Sequence, residues 1–183
     1  MIIEPQGIDG LHIVHPEPHV DDRGTFRRSF CAEVFGSYGL EFEVCQSNIS
    51  VNPHQYTLRG FHYQRPPSRE RKLINVLAGE VFHAVIDLRP SSETYLEHRT
   101  FHLSAKNSLG LLIPEGLASA FLTMKNNVIV HYHMADFYDP ELYAGIRFDD
   151  PRFAVDWPAE PRVISNRDSG LPNFNPNPDD VTE

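Results

Sequence analysis

His62, Lys72 and Tyr132 are side chains of the types needed to move a proton at carbon. His62 stands in "TLRGFHYQRP" (57–66), where Thr57, Leu58, Phe61 and Tyr63 favour a pleated, half-buried backbone and Gly60 marks a bend or a close backbone approach. An imidazole titrates near neutral pH and can act as a general base. Lys72 opens the next strand-like run, and a fixed ammonium there could hold an enolate oxygen. Tyr132 could return a proton from the opposite face of a bound molecule. Each type also has an ordinary structural role, as a satisfied strand histidine, a surface lysine or a core phenol. Spacing alone leaves solvent, a metal and a substrate all open as what the His62 face meets.

The elements that must position these groups are short. Alternation along 57–66 puts Gly60, His62 and Gln64 on one face and Phe61 and Tyr63 on the other. "KLINVLAGEVFHAVIDLRP" (72–90) reads as two strands joined at Ala78-Gly79-Glu80, a hairpin signal. "RTFHLS" (99–104), "LGLLIP" (109–114), "ASAFLTM" (118–124) and "NVIVHYHMADFY" (127–138) continue as strands, while "CAEVFGSYG" (31–39) is a short helix. Many short strands with 11 Gly and 15 Pro predict an all-β sandwich or barrel with few helices. One domain is expected over 1–170, followed by a loose tail over 171–183, "LPNFNPNPDDVTE".

The bulk numbers narrow the function classes. A net charge of −9 argues against general nucleic-acid binding, which needs a basic footprint. No apolar run approaches a membrane span, and the acidic "MIIEPQGIDG" lacks the basic flank of a signal peptide. Cys31 and Cys45 form no CxxC, so a reducing cytoplasm is expected. Within the acidic balance, Arg59, Arg65, Arg69, Arg71 and Lys72 fall within 14 positions, five of the 16 basic residues. They form either a solvated face or a pocket for a phosphate or diphosphate. A metal reading is weak. Gln64 is a poor ligand two positions after His62, and the HxH pair His131 and His133 must point away from Tyr132. The remaining histidines, His83 among them, show no tight carboxylate-bearing cluster, and most are expected at the surface or structurally satisfied.

Ten segments then follow one another in a familiar order: "DDRGTFRRSF" (21–30), "QSN" (46–48), "LRGFHYQ" (58–64), "KLINVLAGEVFHAVIDLRPSS" (72–92), "LSAKN" (103–107), "IPEGLASAF" (113–121), "VHYHMADFYDPE" (130–141), "GIRFDDP" (145–151), "DWP" (156–158) and "SNRD" (165–168). From Ile3 to Gly170 the sequence resembles the dTDP-4-dehydrorhamnose 3,5-epimerase family of nucleotide-sugar epimerases. The resemblance implies a cupin-type jelly roll, a homodimer, and no metal or other cofactor. It implies that His62 removes the proton beside a 4-keto group, Asp168 orients His62, Lys72 holds the enolate oxygen and Tyr132 reprotonates from the far side. Gln46, Asn48 and Arg59 match sugar- or diphosphate-binding positions. Arg23 and Phe26 match residues contributed across the dimer to the nucleotide. Ser119, Tyr138 and Arg167 complete the substrate-binding candidates.

Some positions depart from the pattern. Ser119 stands where the family's AHGF-like segment has a substrate-contacting histidine, and its short hydroxyl cannot reach as an imidazole does. Arg28 replaces a nucleotide-contacting glutamate, an acceptor exchanged for a donor, and Tyr143 replaces a frequent acidic residue. The expected activity is inversion of C3 and/or C5 of a nucleotide-linked 4-keto-6-deoxy sugar. The alternatives are a mono-epimerase on a non-thymidine nucleotide sugar, a non-catalytic nucleotide-sugar binder, and a metal-dependent cupin.

Overall fold

The computed structural model describes residues 1–176. In chain order the described elements are β1 (Ile2–Pro5), β2 (His12–His15), β3 (His19–Asp21), β4 (Gly24–Phe26), α1 (Ala32–Ser37), β5 (Gln46–Asn52), β6 (Leu58–Gln64) and β7 (Lys72–Ala78). They continue with β8 (Glu80–Asp87), β9 (His98–Ser104), β10 (Gly110–Ile113), β11 (Leu117–Thr123), β12 (Val128–Met134), β13 (Tyr143–Gly145) and α2 (Asn166–Ser169). A six-stranded sheet runs β1-β2-β10-β7-β12-β5, and a five-stranded sheet runs β13-β6-β11-β8-β9. Among the described strands every pairing is antiparallel. The all-β sandwich expected from the strand pattern is what forms.

Hydrocarbon fills one part of the space between the sheets. Ile74 and Val76 of β7 and Val128 and Val130 of β12 meet Val81 and Val85 of β8 in one buried cluster. The outer faces are covered too. Phe61, Phe82 and Ile146 pack with Trp157 outside the five-stranded sheet, and Leu73 and Leu112 pack with Phe35 of α1 outside the other. With both faces buried, β8 cannot show clean alternation, and "VFHAVID" reads as a nearly continuous apolar run.

The segment 72–87 corrects the hairpin expectation. β7 and β8 do not pair; they belong to different sheets, and Gly79 is the corner at which the chain crosses between them. The signal was misleading because a turn residue between two strands marks a reversal without saying which sheet receives the second strand. Gly79 has φ +75°, and a Cβ there would lie 2.7 Å from Val128 Cγ2. This corner carries Lys72 and His83 onto facing walls of the sandwich. β12 also ends at Met134, so 135–138 is loop rather than strand.

The tail boundary shifts as well. The Pro172 carbonyl accepts from the Arg147 amide at 3.0 Å, and the Phe174 amide donates to Asp150 Oδ2 at 2.5 Å. The Phe174 ring lies 5.7 Å from that of Phe153. The packed chain therefore runs past Leu171, because apolar residues in the Pro- and Asn-rich stretch find a surface to cover. The rest of the expected tail, 177–183, lies outside the described residues.

Substituting the corner glycine is expected to destabilise the protein. Gly79→Ala forces a side chain into the left-handed region and against Val128, a cost of about 2 kcal/mol, read as a lower denaturant midpoint with an unchanged m-value.

Candidate active site

A cavity of about 370 Å³ occupies the part of the interior that hydrocarbon leaves free. Register decides what lines it. On the six-stranded sheet Tyr132 pairs with Asn48 and Ile74, and Met134 with Gln46 and Lys72, so Gln46, Asn48, Lys72 and Tyr132 share the inward face. His131 and His133 point outward as expected; His131 meets Ser47 Oγ at 2.9 Å, and the His133 ring lies 5.9 Å from Phe30.

The facing wall comes from β6, β11 and β8. On β11, Ser119 pairs with His62 and Phe121 with Arg59, so three steps on β6 oppose two on β11. Ser119 and Phe121 share a face, and this bulge therefore puts both Arg59 and His62 on the cavity side. Gly60 lies at the bulge with φ +111°, and a Cβ there would stand 2.5 Å from the Ser119 carbonyl oxygen. The glycine is needed for close approach, as the sequence suggested. Phe61 and Tyr63 turn outward to the Trp157 cluster.

His62 and Asp168 form the central contact. His62 Nε2 lies 2.9 Å from Asp168 Oδ1, and the Gly60 amide donates to Asp168 Oδ2 at 3.2 Å. The chain reaches this point by running beside β6: the Leu58 amide donates to the Val163 carbonyl at 2.9 Å. Ser165 then caps α2, its Oγ accepting from the Asp168 amide. Burial pushes the Asp168 carboxyl up, but His62 and the Gly60 amide outweigh it and hold the group below the usual carboxylate range.

The other groups divide between charged and neutral. Lys72 Nζ lies 2.8 Å from Glu70 Oε2, both side chains largely withdrawn from water. Burial pushes the Tyr132 phenol up, more than the Arg59 guanidinium pulls it down, so it is protonated at neutral pH. Arg59 Nε donates to Asn52 Oδ1 at 2.8 Å, joining the two sheets at the cavity edge. At the mouth the Arg167 guanidinium lies over the Tyr143 ring at 3.9 Å, with Tyr138 edge-on to the same ring.

The structure brings together His62, Asp168, Lys72, Tyr132, Gln46, Asn48, Arg59, Ser119, Tyr138 and Arg167 around this space. Arg23 and Phe26 stand apart, on the exposed β3–β4 hairpin, where Arg23 pairs with its own Asp21 at 2.6 Å. The basic cluster is dispersed: Arg59 and Lys72 line the cavity, while Arg71 binds Glu115 at 2.6 Å elsewhere. Lining residues outside the predicted site set include Glu70, Tyr143 and His83. Glu70 and Tyr143 lie in segments without a chemical motif of their own. His83 belonged to a group of histidines expected mostly at the surface or satisfied, yet it is 1% exposed and neither ring nitrogen has a partner among the described residues. Its position between Val81 and Val85 at strand spacing was the available signal.

An imidazole–carboxylate pair and a protonated phenol bordering one cavity of a β-sandwich define the class, an acid–base isomerase on a jelly-roll scaffold. The family model for dTDP-4-dehydrorhamnose 3,5-epimerase matches residues 5–176. The chain belongs to the dTDP-4-dehydrorhamnose 3,5-epimerase family and is a nucleotide-sugar epimerase. It is 38% identical over 174 residues to the dTDP-4-dehydrorhamnose 3,5-epimerase of Methanothermobacter thermautotrophicus, covering 93% of each chain. It is 30% identical over 169 residues to the dTDP-4-dehydrorhamnose 3-epimerase of Streptomyces niveus, covering 92% of this chain and 81% of that one. Among solved structures, the Bacillus anthracis 3,5-epimerase with TDP and pyrophosphate bound superposes with a TM-score of 0.92 at 31% identity, covering 94% of this chain and 99% of that one.

Asp168→Asn is expected to lower kcat by about 10²-fold or more, since His62 loses a charged orienting partner. The carboxyl's folded pKa is depressed, so its stabilising contribution is full above the unfolded carboxylate pKa and disappears as pH falls through the folded value. The Tm difference between wild type and Asp168→Asn should therefore shrink on acidification below about pH 4.

Proposed function

We propose that this chain inverts C5 and C3 of a dTDP-linked 4-keto-6-deoxy sugar by taking a proton from one face and returning one to the other. The single observation that carries this reading is that His62 and Tyr132 border one cavity from facing sheets. With Asp168 ionised and accepting from Nε2, a neutral His62 keeps its lone pair on the other ring nitrogen. That nitrogen takes the proton beside the ketone, and the C–H electron pair moves into the enolate. The enolate oxygen lies beside the Lys72 ammonium, where a partly dry site strengthens the attraction. The Tyr132 O–H bond then breaks, and its proton goes to the same carbon from the opposite side. The sugar's formula is unchanged and the centre is inverted. The imidazolium and phenolate left behind return to neutrality by exchange with solvent.

The binding candidates divide by chemistry. Gln46, Asn48 and Ser119 offer hydroxyl partners beside the acid–base pair. Arg59 and Arg167 offer cations for the diphosphate, and Tyr138 offers a ring at the mouth. Arg23 and Phe26 are assigned to the cavity of a second copy in a homodimer, which accounts for a Phe26 ring left 73% exposed on a protruding hairpin. Free Cys31 and Cys45 fit a reducing cytoplasm.

His62→Ala is expected to lower turnover by about 10²–10⁴-fold while dTDP affinity stays within a few-fold of wild type. NMR of the 4-keto sugar nucleotide in D₂O with wild-type enzyme should show deuterium entering at both C3 and C5. Exchange at a single carbon would make this a mono-epimerase, the alternative raised by Ser119, and none at either would leave a binding protein. In titrations dTDP should bind more tightly than CDP, UDP or GDP; the opposite order would support the non-thymine reading prompted by Arg28.

A further inference from the structure

We propose that His83 anchors the sugar: a ring nitrogen of its imidazole, in the cavity wall, makes a hydrogen bond with a ring hydroxyl of the bound 4-keto sugar and so helps set which sugar is held. The inference rests on the epimerase reading and goes beyond it by adding a specificity-determining residue. β8 turns Val81, His83 and Val85 inward, and pairing with β11 sets His83 opposite Phe121 and Val85 opposite Ser119. The His83 and Phe121 rings stack with an interplanar angle of 26°. His83 lines the same cavity as Lys72 and Tyr132. It is 1% exposed, and neither Nδ1 nor Nε2 has a hydrogen-bond partner among the described residues.

A buried donor and acceptor left unpaired cost stability, so such groups are rare unless water or a ligand meets them. Burial, and then the Lys72 ammonium, push the His83 imidazole down to about 3. At neutral pH it therefore presents one N–H and one lone pair. A sugar hydroxyl, itself donor and acceptor, can pair with either nitrogen, whichever tautomer faces it. A weakly basic ring beside an ammonium is poorly suited to proton abstraction, which leaves positioning as its role. The location is also informative. The resemblance implies an imidazole at position 119, where this chain has serine; His83 is the diagonal cross-strand neighbour of Ser119. The imidazole missing from one strand is supplied by the next, so the sugar meets it from a different direction.

The test compares His83→Leu with His83→Asn. For His83→Leu, KM for the sugar nucleotide should rise about tenfold or more, dTDP affinity should be unchanged, and Tm should be unchanged or higher. A merely structural histidine would instead lower Tm. His83→Asn keeps a donor and an acceptor and should recover part of the KM. Wild-type KM and kcat in His83→Leu, or a loss of dTDP affinity equal to the rise in KM, would overturn the proposal. Should His83→Leu fail to fold, ¹⁵N spectra of the wild-type imidazoles decide. The His83 nitrogens should shift with the sugar nucleotide and not with dTDP alone, and no shift with either overturns the assignment. Deuterium exchange by the wild type separates the two readings. Its absence defeats the epimerase assignment, whereas normal exchange with an unaffected Leu variant defeats only the role of His83.

Discussion

A carboxylate withdrawn from water must find donors inside the protein, and that requirement organises this molecule. Asp168 is 5% exposed and meets the His62 imidazole and the Gly60 amide. Left without them, a buried charge of this kind would cost several kcal/mol. The contact joins the segment after Val163 to β6, and it depends on the bulge in β6 that exposes the Gly60 amide and turns Arg59 and His62 to the same side. One charge thus couples the C-terminal part of the chain, the local backbone of a central strand and the orientation of the imidazole.

The cavity beside that contact is a balance of charged and neutral groups. Lys72 is matched by Glu70, so its ammonium is held in place rather than free to turn to solvent. Tyr132 stays protonated because burial dominates its surroundings, and His83 stays neutral because burial and Lys72 act in the same direction. Low local polarity makes each of these preferences stronger than it would be in water. The apolar half of the interior, around Ile74, Val76, Val81 and Val85, excludes water from behind the site. Packing and chemistry share one inter-sheet space, and the register of β7, β8, β11 and β12 divides it between them.

Much of this was legible in the residues. Period-two alternation placed Tyr132 opposite in face to His131 and His133, and it separated His62 from Phe61 and Tyr63, because side-chain direction in a strand is a local property. Gly60 announced a close approach. Partnership was less legible. Gly79 marked a reversal but concealed a change of sheet, the clustered cations divided between the cavity (Arg59, Lys72) and Glu115 (Arg71), and Phe174 packed where a loose tail was expected. His83 escaped notice because a strand buried on both faces loses the alternation that would distinguish its inward side.

By itself the sequence determined the strand-rich class, the faces of individual strands and, through the order of its motifs, the family, since these depend on residues near one another in the chain or on their types. The resemblance implied that Asp168 orients His62 and that Tyr132 acts from the far side. Only the tertiary structure decided the contact between Asp168 and His62, the cavity they share with Lys72 and Tyr132, and the place of His83 in its wall with no hydrogen-bond partner among the described residues. Those facts depend on register, on a bulge and on a corner between sheets. Each is set by contacts among segments far apart in sequence, whose energies no local pattern encodes.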